Sequence, residues 1–194
     1  MLKTIIISGK SGAGKDMFAS FMKQELEAQN KRVIVIHYAD ALKWILRDYF
    51  GWNGIKDENG RQLLQTVGTD MVRNVVPDYW TAVVGGLLKA FEPFDVFDIA
   101  LVPDARFENE IEILMNILED VTTVRIERKN ADGTDWVNPS LTEEQKNHPS
   151  EISLDKYVFD YIVHNDEGLA TLKESAEAVL IDIGAINETK RNDS

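Results

Sequence analysis

The chain has 194 residues, a formal net charge of −12 and 44% hydrophobic residues, enough for one domain with a substantial core and too few for two comfortable ones. It has no cysteine, which excludes a disulfide framework and a cysteine zinc site. A surface this acidic repels polyanions, so no nucleic-acid partner is expected, whereas a small anion needs only a local basic pocket.

The elements follow in chain order. Lys3 to Ser8 is an Ile-rich run of the kind that forms a strand buried on both faces. It is too short for a signal h-region, and no apolar stretch reaches bilayer length, so the expectation is a soluble, cytoplasmic protein without a membrane partner. A glycine-rich turn leads into a helix with Phe18, Phe21, Met22 and Leu26 inward. Arg32 to His37 predicts a second strand, and Leu42, Ile45, Leu46, Tyr49 and Phe50 a second helix. Gly51 to Gly60 is a polar break. Leu64, Val67, Met71 and Val75 predict a third helix, and Trp80, Val84 and Leu87 a fourth, with Asp78 as N-cap. Phe97 to Val102 predicts a third strand, stopped by Pro103. Ile111 to Leu118 falls in a helix and Thr122 to Glu127 in a fourth strand. Lys129 to Pro149 is polar and long, which in a compact domain marks a functional lid or disorder. Tyr161 to His164 predicts a fifth strand and Leu169 to Ile183 a closing helix, with Asn187 to Ser194 frayed. Strands alternating with helices imply an α/β fold, a mostly parallel sheet covered on both faces. Ligands then bind beyond the C-terminal ends of its strands.

The first strand runs into Gly9-Lys10-Ser11-Gly12-Ala13-Gly14-Lys15-Asp16, which matches G-x-x-x-x-G-K in the required strand–loop–helix setting. Its glycines let backbone N–H groups converge on a phosphate, the helix dipole adds positive potential, and Lys15 reaches the β- and γ-phosphates. Asp16 stands where Ser or Thr is usual. A carboxylate there is a hard oxygen ligand for Mg²⁺; the alternative is that it only favours the helix start. ATP and Mg²⁺ are the cofactors this loop calls for.

Phosphoryl transfer needs positive charge around the transferring group. After the third strand, Asp104 occupies a Walker-B-like place, suited to Mg²⁺ water or a substrate group, and Arg106 lies beside it. Arg128 follows the fourth strand at the hinge of the long loop, where a lid arginine closes over ATP. A surface ion pair is the alternative for both arginines. Gln65, Thr69 and Arg73 recur every four residues as a polar wall for a ligand, or as a solvated face, with Gly68 allowing close approach. Asp40 and Lys43 meet substrate or cap and solvate their helix. Trp80 stacks on a base or belongs to the core. Glu151, in His148-Pro149-Ser150-Glu151, meets substrate or follows a helix cap.

The segments ISGKSGAGKD (Ile7 to Asp16), YADALK (Tyr38 to Lys43), LLQTVGTDMVRN (Leu63 to Asn74), LVPDARFENE (Leu101 to Glu110), HPSE (His148 to Glu151) and IVHNDEGLATL (Ile162 to Leu172) together resemble the phage and bacterial deoxynucleoside monophosphate kinase family. The resemblance implies a single P-loop kinase domain over residues 1–194, a three-layer fold with a five-stranded parallel sheet. It implies a substrate-binding helical region near 38–92 and a lid near 128–151. It implies transfer of the ATP γ-phosphate to a deoxynucleoside monophosphate with Mg²⁺. It supports Lys15 and Asp16 at the phosphates and Arg73 and Arg106 at the monophosphate, and puts Asn165 where such kinases meet adenine. A small-molecule nucleotide is the implied partner, and a homodimer is common among such kinases. The competing readings are a kinase of another small phosphorylated metabolite and, behind it, a nucleotide-dependent switch or ATPase.

Overall fold

Residues 3–9 form β1 (Lys3–Gly9), and its side chains alternate between two cores. Ile5 and Ile7 face one side, Ile6 the other, and all three are fully buried, so β1 is covered on both faces and lies at the centre of the sheet. The structure, a computed structural model, describes residues 1–55 and 57–187. The remaining strands are β2 (Val33–Val35), β3 (Ile99–Ala105), β4 (Asp120–Glu127) and β5 (Tyr161–His164). All pair in parallel, in the order β2-β3-β1-β4-β5. The order reverses direction at β1, so the crevice beyond its C-terminal end is where such a sheet binds ligands.

Eight α-helices cover the sheet among the described residues: α1 (Lys15–Ala28), α2 (Tyr38–Phe50), α3 (Glu58–Gln65), α4 (Tyr79–Phe91), α5 (Glu108–Ile117), α6 (Glu143–Lys146), α7 (Pro149–Ile152) and α8 (Leu169–Asp182). On one face α1 and α8 set Phe18, Met22, Leu26, Leu172, Ala176 and Leu180 against Ile5, Ile7, Leu101 and Val124. On the other, α2, α4 and α5 set Leu42, Leu46, Trp80, Val84, Leu88, Ile111 and Leu114 against Ile6, Ala100 and Val102. Dewetting these two faces is the main drive for the fold. No described helix is long and apolar enough to cross a membrane.

Three local departures from the sequence expectation have physical reasons. β3 does not stop at Pro103. The register moves from Ile6↔Val102 to Ser8↔Ala105, so two residues of β3 oppose one of β1. Proline has no N–H for the ladder, and a bulge at Pro103-Asp104 absorbs the gap and lets the strand continue. The expected third helix changes character at Thr66: α3 is followed by a π-helix, Thr66–Arg73. The wider turn breaks the phase set by the 3.6-residue period, so Val67 and Gly68 are buried while Met71 and Val75 point to solvent. The polar 129–149 segment is not structureless. It holds a Lys129–Asp135 antiparallel bridge, α6 and the start of α7.

Smaller differences lie at element ends. β2 keeps only three of the six expected residues, although the Ile36 N–H still reaches the Leu101 carbonyl at 3.0 Å. Tyr49 and Phe50 are exposed, because α2 turns Tyr38, Leu42 and Leu46 inward instead. Asn187 is tied through its backbone to the Gln29 side chain, and residues 188–194 of the expected frayed end lie outside the described residues.

Candidate active site

The crevice at the end of β1 opens into a cavity of about 540 Å³. One wall is the phosphate loop and the start of α1, contributing Ser11, Gly12, Lys15 and Asp16. The opposite wall comes from α2, α3 and the π-helix, with His37, Lys43, Arg61, Leu64, Gln65 and Thr69. Asp104 at the end of β3 and Arg106 just beyond it form the floor, and His148, Ser150 and Glu151 one side.

The loop conformation demands glycine. Gly12 and Gly14 have φ of 78° and 108°, in the left-handed region. A Cβ on Gly12 would lie 2.6 Å from Trp136, and one on Gly14 2.5 Å from the Asn165 amide nitrogen. Both neighbours belong to the loop's support. Trp136 packs on Gly12 and carries the Arg128 guanidinium 4.5 Å from its ring centroid. The Asn138 amide donates to the Ser11 hydroxyl at 3.1 Å. The Asn165 amide donates to the Ala13 carbonyl at 2.8 Å and is not part of the cavity lining.

Lys15 is nearly buried, and its ammonium donates to the Lys10 carbonyl at 3.0 Å. Desolvation, with repulsion from Arg106 behind it, lowers its pKa to about 7, against the opposing pull of Glu151, Asp16 and Asp104. Lys10 itself turns away and pairs with Asp155 at 3.0 Å. Asp155 also receives Arg125 at 2.9 Å, and Arg125 donates to the Ser8 hydroxyl at 3.2 Å.

Arg106 concentrates its contacts on one nitrogen. Nη1 donates to Glu151 Oε1 at 2.7 Å and to the Gly9 and Ser150 carbonyls at 3.4 Å each. The other Glu151 oxygen accepts the Ser11 backbone N–H at 2.8 Å. Asp104 lies in the lining, but both its oxygens accept from the first turn of α2, from Tyr38 N at 3.0 Å and Ala39 N at 3.3 Å. Burial raises its pKa, against those two bonds and the positive charges of His37 and Lys43. Among the described residues no group of three or more His, Cys, Asp or Glu side chains is set to hold a metal.

Of the residues predicted for substrate, Lys43, Gln65, Thr69, Asp104, Arg106 and Glu151 reach the cavity. Trp80 is a correction. It is buried in the core under α4, its indole N–H donating to the Gly68 carbonyl at 3.0 Å, because the π-helix brings that carbonyl over it. Arg73 is outside the lining. The wider π turn takes it off the Gln65/Thr69 stripe, and it makes a buried ion pair with Glu110 and lies 4.0 Å over the Phe107 ring. Asp40 is also outside the lining, because it accepts from His37 N and Lys43, each at 2.9 Å, at the start of α2. Arg128 stands off the cavity on Trp136. Gly68 makes a close approach to Leu42 rather than to a ligand: a Cβ there would lie 2.5 Å from Leu42 Cδ2. Sequence reasoning missed Arg61, His37 and Trp136. Arg61 lies one helical turn before Gln65, a spacing that offered the signal. Trp136 stands alone in a polar loop, without periodicity.

The deoxynucleotide monophosphate kinase family model matches residues 52–176. The chain belongs to the deoxynucleotide monophosphate kinase family. It is therefore a nucleotide-binding P-loop kinase. No curated protein sequence matches it. Among solved structures it is similar to an APS kinase of Mycobacterium tuberculosis in complex with AMPPNP and APS, at 16% identity over 95% of this chain and 98% of that one, with a TM-score of 0.55. A sugar kinase from Janibacter sp. matches at 13% identity over 97% of this chain and 100% of that one, with a TM-score of 0.54. A gluconokinase from Sinorhizobium meliloti matches at 19% identity over 93% of each chain, with a TM-score of 0.51. At these identities the likeness is one of fold: this chain and these enzymes share an architecture of helices around a parallel sheet.

Proposed function

We propose that the chain transfers the γ-phosphoryl group of ATP to a deoxynucleoside monophosphate. The supporting observation is the single cavity shared by the phosphate loop and the α2–α3–π-helix wall. Lys15, Ser11 and Gly12 line the donor side, and Lys43, Arg61, Gln65 and Thr69 the acceptor side. Arg106 lies between them.

In this reading the triphosphate lies along the phosphate loop, its oxygens facing the loop amides and Lys15. The acceptor's phosphate enters from the α3 side, where Arg61 and Lys43 supply positive charge and Gln65 and Thr69 hydrogen bonds. The attacking oxygen is already anionic, so no general base is needed. Catalysis comes from holding the two phosphates in line and neutralising the charge that spreads over the transferring group. Lys15 and Arg106 serve that role. Arg128 joins only if it leaves Trp136 and swings inward.

Asp16 is the carboxylate free to hold Mg²⁺ at the cavity wall. Asp104, engaged by α2, fits a contact through water. The ion would supply neutralisation of the charge on the nucleotide's phosphates. The deciding experiment is ADP formation from Mg-ATP with each common deoxy- and ribonucleoside monophosphate in turn. Stimulation by one or more deoxynucleotides is expected. No stimulation by any nucleotide sinks this reading and turns the search to other phosphorylated metabolites.

A further inference from the structure

The Glu151 carboxylate sits in an unusual place. A phosphate loop exists to attract negative charge, and here a protein carboxylate lies against it, with Oε2 on the Ser11 N–H and Oε1 on Arg106 Nη1. Its side chain is only 12% exposed, so it is not a surface group leaning inward. Two explanations compete. The carboxylate is either a stand-in for a phosphate that nucleotide must displace, or a fixed brace that aims Arg106.

Three observations favour the brace. First, all three acceptors of Arg106 fall on one nitrogen: Glu151 Oε1, Gly9 O and Ser150 O all receive Nη1. That holds the guanidinium by one corner, and its other N–H groups have no protein acceptor among the described residues. Arginine's planar fork gives two-point recognition of a phosphate only if its orientation is fixed beforehand. Second, the segment that carries Glu151 is anchored independently of it. The His148 ring accepts the Ser150 N–H at 3.2 Å, Leu154 is buried in the core, and Asp155 is held by Lys10 and Arg125. A group meant to leave would sit on a looser support. Third, Ser11 and Glu151 also tie the β1 end of the loop to the β3–α5 turn through Arg106, joining the donor wall and the transfer arginine as one body.

We infer that Glu151 is a positioning residue that braces Arg106 against the phosphate loop through the Ser11 N–H, and is not itself a substrate contact. The inference rests on the kinase reading above. It assigns Arg106 the transferring phosphoryl group and Glu151 the task of keeping its fork turned toward that group.

The test is a double-mutant cycle on kcat with Glu151→Gln, Arg106→Ala and the double variant, and with Mg-AMPPNP affinity and melting temperature measured on each. Gln keeps the size but cannot accept from both Ser11 and Arg106 with charged oxygens. The expected result is a loss of roughly 10- to 100-fold in kcat for Glu151→Gln at an unchanged melting temperature, the cost of a misaimed transition-state contact. The double variant should be no slower than Arg106→Ala alone. Glu151→Asp, which keeps the charge and loses one methylene of reach, should show a similar loss. If the two losses multiply in the double variant, Glu151 acts independently of Arg106 and the brace is wrong. Several-fold tighter AMPPNP binding by Glu151→Gln also overturns it, because that marks a carboxylate competing with phosphate. Should the wild type phosphorylate no monophosphate, the functional reading fails separately. The same cycle is then read on AMPPNP dissociation constants, where additive effects overturn the brace and a vanishing Glu151 effect in the Arg106→Ala background supports it.

Discussion

Arg73 and Glu110, 37 residues apart, form a buried ion pair that joins the π-helix to the turn carrying Arg106. The other Glu110 oxygen accepts the backbone N–H groups of Arg106 and Phe107 at 2.6 and 3.0 Å. One carboxylate thus fixes both the end of the π-helix and the backbone of Arg106. Removing it as Glu110→Ala leaves Arg73 buried without its partner and should cost about 3–5 kcal/mol in urea unfolding.

The same carboxyl sets a pH dependence. Burial raises its pKa from 4.5 to about 6, against the pull of Arg73. Between those values the native state holds the proton that the unfolded state has lost. Its contribution is therefore full below pH 4.5 and is lost as pH rises through 6. Measured against Glu110→Gln, which does not titrate, the wild type should lose about 2 kcal/mol of relative stability from pH 4.5 to 7. A constant difference across that range would mean that the group titrates normally.

Lys15 makes the complementary case. Burial lowers its pKa to about 7, so at pH 8 most nucleotide-free molecules carry a neutral amine. A polyphosphate beside it restores the charge. Nucleotide binding at pH 8 should therefore take up a proton, read by calorimetry in buffers of different ionisation enthalpy, and uptake should fade toward pH 6. Lys15→Ala should abolish both the uptake and turnover while retaining the melting temperature. Normal turnover in that variant would remove Lys15 from the chemistry.

Gly68 packs tightly against Leu42: a Cβ there would lie only 2.5 Å from Leu42 Cδ2, inside van der Waals contact. Gly68→Ala should push α2 and the π-helix apart and destabilise the protein by about 1–3 kcal/mol. Since Thr69 and Gln65 move with that backbone, the KM for the acceptor should rise while ATP affinity holds. Unchanged stability would mean that Leu42 swings clear at no cost.

Trp80→Phe tests the core assignment of the indole. The ring volume largely remains, but the bond to the Gly68 carbonyl is lost. The expected cost is about 1–2 kcal/mol in thermal unfolding, with acceptor KM unchanged. A tenfold rise in KM without loss of stability would return Trp80 to the substrate.

The parallel sheet, the phosphate loop and most element positions were legible because each is a local pattern: an Ile run, a glycine spacing, a 3.6-residue repeat. Lys15, Asp16, Lys43, Gln65, Thr69, Asp104 and Arg106, singled out at strand ends or on a regular stripe, and Glu151, singled out at the end of the lid, all line the cavity. Most of the failures share one cause. Arg73 sits on the same stripe in sequence, but the π turn shifts its phase, and its partner Glu110 comes from another element. Asp40 and Arg128 are claimed by close neighbours, Lys43 and Trp136, once the chain folds. Pro103 reads as a strand stop, yet the bulge beside it exists only in the pairing with β1. Periodicity reports on one segment, and all of these outcomes but that of Asp40 depend on two.

The π-helical stretch from Thr66 to Arg73 has a consequence for how this kinase can diversify. Such a turn is equivalent to one residue inserted into an α-helix. Deleting a single residue there would regularise the helix and rotate everything on one side of it by about 100° relative to the other. Thr69 would leave the acceptor wall and Arg73 would lose Glu110, with no change in the side chains themselves. On the proposed function, acceptor preference in this architecture is therefore open to change by a single codon's gain or loss.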